Sequence, residues 1–261
     1  MMRISDVIKI AREKNLGRKG IKKRVKDLKK SSYGKNWQVV GEEFYSKIGI
    51  LEQRPLLHNN FLNYLTSKDD VKTILEIGCG MGIYPIKFKN LFENKEYLGL
   101  DIGEPAIDFC KKKSDFNFMC GDLLKIKLDK KFDLIFSHAV IDHVYDIDSF
   151  LDRIVTLCGK YAYISAYRGY FPNLKEHKMT WDNEKGCHYN NLSVKRLKEK
   201  LIASGLNEDE FLIREQKDGM KLNQSYSIGL TGIETIIEIE RKYNSKISFI
   251  FDYQFSLHEP L

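Results

Sequence analysis

The stretch TILEIGCGMG, residues 73–82, joins an apolar run of β-forming residues to three closely spaced glycines. Because glycine adopts positive φ without strain, the pattern predicts a strand that enters a tight loop at Gly78. The backbone N–H groups of such a loop can approach a ligand closely where Gly78 and Gly80 lack side chains. The chemistry of the chain therefore depends on which nucleotide-like ligand this loop holds.

Two acidic residues follow at the ends of the next two predicted strands. EYLGLD ends at Asp101, 19 residues beyond Gly82, and FNFMCGD ends at Asp122. In a parallel sheet an acid that ends the second strand can accept hydrogen bonds from ribose hydroxyls. Asp122 stands where a carboxylate could take an adenine amino group. The pattern predicts an adenosine-containing ligand, and the loop geometry alone does not separate a dinucleotide from other such ligands.

The elements that must position these residues alternate between strand-like and helix-like segments from residue 71 onward. This alternation predicts an α/β fold with a doubly wound parallel sheet that binds ligands at the carboxyl ends of its strands. The elements predicted after the first strand are helices over 83–92, 104–113, 146–158 and 193–205 and strands over 96–101, 116–122, 132–137 and 161–167.

Composition restricts the classes of protein that the chain can belong to. Its 261 residues are 43% hydrophobic and 30% charged, and no apolar run approaches the roughly 18 residues of a membrane span. The charged N-terminus lacks the apolar core of a secretory signal, so a cytoplasmic protein without a membrane partner is expected. Five scattered cysteines without a CxxC pair argue against both a disulfide framework and a thiolate zinc site.

Residues 1–35 are predicted to form a basic helical arm, with 13 Lys/Arg against three acids in a chain of net charge +7. The arm could bind nucleic acid, but no aromatic residue interleaves the charges before Tyr33. This favours helices packed on the main domain or on a second subunit, so a homodimer is compatible with the pattern and a nucleic-acid partner is not expected. Residues 36–70 are predicted as a helical cap with the candidate site residues Trp37, Tyr45 and Arg54.

A histidine-containing segment, SHAVIDHV, follows the fourth predicted strand and offers groups for acid–base chemistry or metal binding. His138 and Asp142 would share one face of a helix, with His143 next in the chain. His143 suits either an orienting role near the site or a hydrogen-bonded structural role. Because no third ligand anchored in a loop is evident, no metal is expected.

Four motifs in succession make the chain resemble the class I S-adenosylmethionine-dependent methyltransferases. ILEIGCGMG is similar to the first motif of that family, YLGLDIG to the second, CGDLLKI to the third and FDLIFSHAVIDHVYDIDSFL to the fourth. The resemblance covers about residues 70–167. It implies a Rossmann-like, mostly parallel seven-stranded sheet with an N-terminal helical extension, and S-adenosylmethionine as the cofactor. The methyltransferase domain would span 71–261, with a lid insertion at 168–191.

The same resemblance assigns residues along the cofactor. It implies Glu76, Gly78 and Gly80 for the methionine end, Asp101 for the ribose hydroxyls, Ile102, Asp122 and Leu123 for the adenine, and Ser137 and His138 for the region of the sulfonium. The chain departs from the family pattern at Tyr84, which follows the glycine loop where small residues are common.

The lid, residues 168–191, is predicted to shape the acceptor pocket because it is long and too aromatic for a solvated linker. Its ring faces and cationic groups suit a small acceptor with a ring and an anionic group, such as a phosphorylated or nucleotide-linked metabolite. A lid that only seals the cofactor is the alternative. The candidate acceptor-binding residues are Arg168, Tyr170, His177, Trp181 and His188, and the candidate catalytic residues are His143 and His138.

The resemblance thus implies a methyltransferase that acts on a small acceptor by in-line displacement at a sulfonium methyl. The composition and the lid also resemble methyltransferases of bacterial surface-polysaccharide clusters, including those linked to O-methyl phosphoramidate decoration. The competing classes are a nucleic-acid methyltransferase recruited by the arm, an NAD-dependent oxidoreductase and a non-catalytic cofactor-binding regulator.

Overall fold

The computed structural model describes residues 55–183, 186–217 and 232–242 of the chain. The predicted basic arm, Trp37, Tyr45 and Arg54 lie outside the described residues. Of the predicted cap, helix α1 (Pro55–Thr66) is described, and residues 67–72 join it to the first strand.

The described elements follow the predicted alternation of strands and helices. The strands are β1 (Thr73–Ile77), β2 (Glu96–Asp101), β3 (Asn117–Cys120), β4 (Phe132–His138), β5 (Cys158–Ala166), β6 (Lys178–Asp182), β7 (Cys187–Asn191), β8 (Phe211–Lys217) and β9 (Ile233–Glu240). The α-helices after α1 are α2 (Ile83–Lys87), α3 (Lys89–Phe92), α4 (Glu104–Lys113), α5 (Ile147–Leu157) and α6 (Val194–Ala203), and a 3-10 turn covers Glu208–Glu210.

Seven of these strands form one sheet in the order β3-β2-β1-β4-β5-β9-β8. The first five are parallel, whereas β9 pairs antiparallel with both β5 and β8. The strand order reverses next to β1, so the carboxyl ends of β1 and β4 flank the crevice where open α/β sheets bind ligands. The predicted fold, a Rossmann-like and mostly parallel seven-stranded sheet, is confirmed.

Two apolar cores cover the two faces of this sheet. One core packs α5 and α6 on residues such as Leu75 and Ile135, and the other packs α1 on residues such as Ile74 and Phe136. Neighbouring residues of a strand point to opposite faces, so both faces of each central strand are buried. These faces are called the α5 face and the α1 face below.

Several predicted element boundaries differ from those in the structure. A single helix over 83–92 is wrong, because Phe88 adopts φ −115° and ψ 41° and divides it into α2 and α3. The third strand ends at Cys120 rather than at Asp122, whose backbone carbonyl accepts from the N–H groups of Lys125 and Ile126 and so starts a turn. The fifth strand begins at Cys158, directly after α5.

The lid is more ordered than a loop, since its second half is an antiparallel hairpin of β6 and β7. The chain then enters α6 at Ser193, whose hydroxyl accepts from the backbone N–H of Arg196 as an N-cap. The hairpin lies beside the carboxyl end of the main sheet, where it contacts the segment that follows β4.

We expect Leu197→Ala to lower the free energy of unfolding by about 2–5 kcal/mol, because Leu197 is fully buried between α6 and the sheet. Ile202→Ala on the same helix, at a side chain that is 45% exposed, should cost about 1 kcal/mol or less. Urea denaturation of both variants measures the difference. Equal losses would contradict the packing of α6 on the α5 face.

Candidate active site

The glycine loop after β1 is shaped by backbone conformation and by a close neighbour. Gly78, Gly80 and Gly82 all have positive φ, at 76°, 50° and 64°. A Cβ atom on Gly78 would lie 2.1 Å from Cγ2 of Val140, so no side chain fits there. The loop therefore needs glycine at Gly78 for space as well as for conformation, and it touches the segment after β4.

Asp101 ends β2 beside this loop, as predicted. Its carboxylate accepts from the backbone N–H of Gly80 at 2.9 Å and from that of Gly103 at 2.8 Å. Burial raises the pKa of Asp101, and the backbone N–H groups of Gly103, Gly80 and Ile102 oppose that rise by stabilising the carboxylate. The glycine loop and the acid that would meet a ribose are thus joined by a direct hydrogen bond.

Glu76 lies on β1 below the loop and faces the same side of the sheet as Ile74. Its carboxyl group accepts from the hydroxyl of Tyr97 at 2.5 Å, and its side chain is 4% exposed. Burial raises the pKa of Glu76 to about 8, against the lowering effect of the Tyr97 hydrogen bond. Near neutral pH this carboxyl group is therefore substantially protonated.

The predicted adenine end lies across β2 and β3. The Oδ1 of Asp122 accepts from the backbone N–H of Leu124 at 3.0 Å, and its Oδ2 accepts from the hydroxyl of Tyr145 at 3.3 Å and lies 3.2 Å from the Nζ of Lys125. Ile102 is half-buried after β2, and Leu123 is buried in the core of the α5 face. Asp122 thus begins a turn, while its carboxylate remains beside the ends of β2 and β3.

Two predicted cofactor residues at the end of β4 point to opposite faces of the sheet. Ser137 is fully buried and pairs in register with Ile77 and Ile164, which belong to the core of the α5 face. His138 points to the α1 face, where its Nδ1 lies 2.8 Å from the Oγ of Ser165. Ala139 follows with φ 58°, a left-handed conformation that costs a non-glycine residue about 1–2 kcal/mol.

His138 belongs to a group of rings, most of them buried, between α1 and the sheet, which we call the aromatic group. Its members are His58, Phe61, Tyr84, Phe136, His138 and Tyr163. The ring centroids of Tyr84 and His138 are 5.1 Å apart, and the Nδ1 of His58 lies 2.5 Å from the hydroxyl of Tyr84. Three titratable side chains therefore meet beside the glycine loop.

Asp142 connects three segments around the carboxyl edge of the sheet. Its side chain is fully buried and accepts from the backbone N–H groups of Tyr167 and Arg168, both at 3.2 Å. Its backbone carbonyl accepts from the N–H of Asn190 at 2.8 Å. The segment after β4, the end of β5 and the hairpin are fixed together by this one residue, and Asn190 adds bonds to the carbonyls of Ile141 and Val144.

His143 lies under the hairpin with both ring nitrogens in hydrogen bonds. Its Nδ1 is 2.8 Å from the backbone carbonyl of His188, and its Nε2 is 3.1 Å from the hydroxyl of Tyr167. Because the carbonyl only accepts, Nδ1 carries a proton, and in the neutral ring Nε2 would accept from the Tyr167 hydroxyl. Burial raises the pKa of Tyr167, with a further contribution from Asp142, so this hydroxyl stays protonated.

Arg168 completes the group around His143. Its Nε donates to the side-chain carbonyl of Asn191 at 3.1 Å, and its guanidinium lies 4.9 Å from the ring centroid of Tyr189. Tyr189 in turn meets the ring of His143 edge-on at 5.3 Å. His143, Tyr167, Arg168 and Tyr189, which we call the hairpin group, thus form a contiguous set of one cation, one imidazole and two phenols.

The remaining lid candidates do not all join this group. His188 is buried, and Trp181 packs edge-on against its ring at 4.9 Å while donating to Asn183. Tyr170 packs against the core of the α5 face. His177 instead accepts from the backbone N–H of Ser193 at 3.0 Å at the start of α6, outside the hairpin group. Burial lowers the pKa of His177, which favours the neutral ring.

The prediction that His138 and Asp142 share one face of a helix is wrong. His138 ends a strand and Asp142 lies in a turn, with its carboxylate directed at backbone N–H groups. Within the described ranges, no group of three or more His, Cys, Asp or Glu side chains could hold a metal ion. None of the helices in the described part of the chain is long and apolar enough to cross a membrane.

Sequence reasoning missed His58, Tyr167 and Asn190. His58 stands in the predicted cap segment, which gave no sign of which side would face the sheet. Tyr167 ends a predicted strand and Asn190 lies within the predicted lid, and neither position alone indicates a role. Their roles depend on contacts between segments 24–49 residues apart, for which local spacing offers no signal.

Comparison with known proteins gives the site a family context. A family model described as "Methyltransferase domain" matches residues 68–222, more than half of the chain. A malonyl-[acyl-carrier protein] O-methyltransferase of Ilyobacter polytropus is 35% identical over 95 residues, which cover 35% of this chain and 37% of that protein. The corresponding enzyme of Bacillus cytotoxicus is 32% identical over 122 residues, 46% of this chain and 42% of its own length.

Solved structures share the fold at low sequence identity. The magnesium protoporphyrin IX methyltransferase of Synechocystis PCC 6803, solved with bound S-adenosylmethionine, has a TM-score of 0.50 and 14% identity, covering 81% of this chain and 90% of that one. The plantazolicin methyltransferase BpumL, solved with S-adenosylhomocysteine, has a TM-score of 0.54 and 16% identity, covering 77% and 89%. The predicted methyltransferase fold is thereby confirmed.

Replacing Glu76 with Gln should flatten the pH dependence of stability. The pKa of Glu76, about 8 in the folded chain, lies above its ordinary value of 4.5, so its stabilising contribution is complete below about pH 4.5 and is lost as the pH rises through about 8. The loss is at most about 1.4 kcal/mol per pH unit in that window. Urea titrations at pH 5 to 8.5 measure the slope, with Glu93→Gln at an exposed position as the control. A Glu76→Gln slope equal to that of the wild type would contradict the burial of this carboxyl group.

Proposed function

The chain belongs to the methyltransferase domain family, and we propose that it transfers the methyl group of S-adenosylmethionine to a small anionic acceptor. The observation that carries the proposal is the joint geometry of Gly78, Gly80 and Asp101 at the strand-order reversal. The matched stretches span about two fifths of the first curated relatives, so activity, acceptor and partners are proposed for this chain rather than taken from them.

The residues around the glycine loop fit this cofactor. The positive φ of Gly78 and Gly80 turns the backbone at the carboxyl end of β1, and the N–H of Gly80 lies 2.9 Å from the carboxylate of Asp101. Asp101 would hold the ribose hydroxyls, with Ile102 and Leu123 against the adenine and Asp122 on its amino group. The cofactor supplies a sulfonium methyl that is already activated, so the protein contributes mainly alignment and electrostatics.

The hairpin group supports an acceptor with an anionic group. Arg168 is held by Asn191 on one side and by the ring of Tyr189 on its face, which preorganises its guanidinium. A planar guanidinium binds a phosphate or carboxylate through paired hydrogen bonds. Because His143 is tied to the His188 carbonyl and to Tyr167, its role in the proposal is to orient the acceptor through the Tyr167 hydroxyl.

The more specific part of the proposal concerns the chemical class of the anionic acceptor. Two of the similar proteins are named for O-methyl transfer to malonyl-[acyl-carrier protein], an acceptor with an anionic carboxylate. The resemblance of the lid to surface-polysaccharide methyltransferases suggests a phosphorylated or nucleotide-linked sugar instead. Both kinds of acceptor carry the negative charge that Arg168 would recognise, and we propose the phosphorylated class in a cytoplasmic step of surface-polysaccharide biosynthesis.

The cofactor part of the proposal is tested by binding. We expect S-adenosylmethionine, and not NAD, to give measurable heat in isothermal titration calorimetry with the full chain. Asp101→Asn should weaken that binding by about 1.5–3 kcal/mol, because charge-assisted hydrogen bonds to the ribose are lost. Asp108→Asn, at an exposed position of α4, should leave it unchanged. Binding of NAD alone, or equal binding by both variants, would contradict the proposal.

The acceptor part is tested by methyl transfer from labelled S-adenosylmethionine to glucose 6-phosphate, UDP-glucose and malonyl-coenzyme A, with uncharged glucose as the reference. We expect transfer only to charged compounds, and to at least one phosphorylated sugar. For a methylated compound, Arg168→Gln should raise KM about tenfold or more and change kcat less. Lys175→Gln, an exposed lid cation, is the matched control. Equal KM values for wild type and Arg168→Gln would show that another group holds the charge.

A further inference from the structure

A second tyrosine–histidine pair, Tyr84 and His58, lies on the α1 face of the sheet. The Nδ1 of His58 on α1 is 2.5 Å from the hydroxyl of Tyr84 on α2, and both side chains are 4% exposed. If the phenol donates to Nδ1, the imidazole keeps its proton on Nε2 and the pair is neutral. The oxygen of Tyr84 then retains lone pairs that can accept a further proton.

The pair lies next to the loop that would carry the cofactor. Tyr84 is two residues beyond Gly82, in the first turn of α2. Its ring is 5.1 Å from that of His138, the last residue of β4, which the family resemblance assigns to the region of the sulfonium. In an open α/β sheet the ligand lies outside the carboxyl ends of the strands, so Tyr84 and His138 flank its reactive end.

Aromatic rings surround the pair. Phe61 packs on Tyr84 and on His138, at 5.0 and 4.9 Å between ring centroids. Burial raises the pKa of Tyr163 on β5 to about 12, so it stays neutral, and Arg214 and Glu238 are charged groups that act on it. His138, bonded to Ser165, is the second imidazole that faces the pair, with its ring 6.3 Å from that of His58.

We propose that Tyr84 and His58 accept the proton of the methyl acceptor, which makes that acceptor a hydroxyl rather than an ionised acid. The proposal rests on the function proposed above and narrows it. An already ionised carboxylate or phosphate needs no base, whereas a sugar hydroxyl is poorly acidic and gains from one. Arg168 would then bind a separate anionic group of the same molecule.

The step balances within these groups. The acceptor oxygen forms a bond to the methyl carbon while the carbon–sulfur bond breaks, and its electron pair stays on sulfur. The hydroxyl proton passes to the oxygen of Tyr84 as the phenolic proton of Tyr84 passes to Nδ1 of His58. The imidazole becomes an imidazolium, which later releases its proton to solvent.

The first experiment tests whether the Tyr84–His58 pair lies near the transferred methyl group. It uses the charge of the bound ligand and needs no acceptor. We would label the full chain with ¹⁵N-histidine and titrate it from pH 5 to 8.5 with saturating S-adenosylmethionine or S-adenosylhomocysteine. The two ligands differ by the positive sulfonium, which disfavours a nearby imidazolium. We expect the pH midpoint of the His58 titration to be lower with S-adenosylmethionine than with S-adenosylhomocysteine. The difference should be about half a pH unit or more, after allowance for screening by salt. His177, at the start of α6, should titrate alike with both.

Each outcome decides between the two proposals. If both ligands bind and His58 titrates alike with them, within about 0.1 pH unit, the pair is remote from the methyl group and this inference fails alone. If neither ligand binds in calorimetry, the proposed function fails and the inference with it. Assignment of the His58 resonance comes from its loss in His58→Gln.

The proton-accepting role is tested with Tyr84→Phe, which keeps the ring in the aromatic group. It should shift the Nδ1 resonance of His58 by removing its partner, and it should lower kcat at least tenfold with an altered acidic limb of the pH profile for the methylated sugar. Tyr163→Phe, in the same group, should leave the Nδ1 resonance and kcat unchanged. A Tyr84→Phe protein with an unaltered Nδ1 resonance would overturn the pairing, and one with wild-type kcat and pH profile would overturn its role.

Discussion

The fully buried carboxylate of Asp142 is the interaction on which the arrangement of the site depends. It accepts from the backbone N–H groups of Tyr167 and Arg168, and its own carbonyl accepts from Asn190. A buried carboxylate is costly unless hydrogen bonds compensate for its lost hydration, so the segments that supply those bonds have little freedom to move apart. One residue therefore holds three segments in place: the segment after β4, the end of β5 and the hairpin.

This constraint also reaches the glycine loop. Val140, two residues before Asp142, occupies the space that a side chain at Gly78 would need. Ala139 adopts a left-handed conformation between the end of β4 and Val140, a strain that the bonds of Asp142 and Asn190 can offset. The loop that would hold the cofactor and the group that would hold the acceptor are consequently parts of one rigid edge. Alignment of two reactants within such an edge is the contribution that methyl transfer requires of a protein.

The sequence predicted the parallel half of the sheet, the glycine loop and Asp101 because these depend on local patterns. Apolar runs followed by glycine or an acid mark strand ends whatever the rest of the chain does. The two catalytic candidates belong to different groups, His138 to the aromatic group and His143 to the hairpin group. This separation was not predictable, because it depends on which face of β4 each neighbouring side chain takes and on how the hairpin docks. His58 and Tyr84 are 26 residues apart and meet only because α1 packs on the α1 face. The hydrogen bond of His177 was not predictable for the same reason, because its partner Ser193 is the N-cap of α6.

The most direct measurement of the central claim is a crystal structure of the full chain with S-adenosylhomocysteine. We expect the nucleoside at the carboxyl edge of β1 and β2, with its ribose hydroxyls on the carboxylate of Asp101 and its sulfur between Tyr84 and His138. The hydrogen bonds of Asp142 should be unchanged from those described above. A ligand bound elsewhere, or one whose ribose makes no contact with Asp101, would contradict the assignment of this edge as a methyltransferase site.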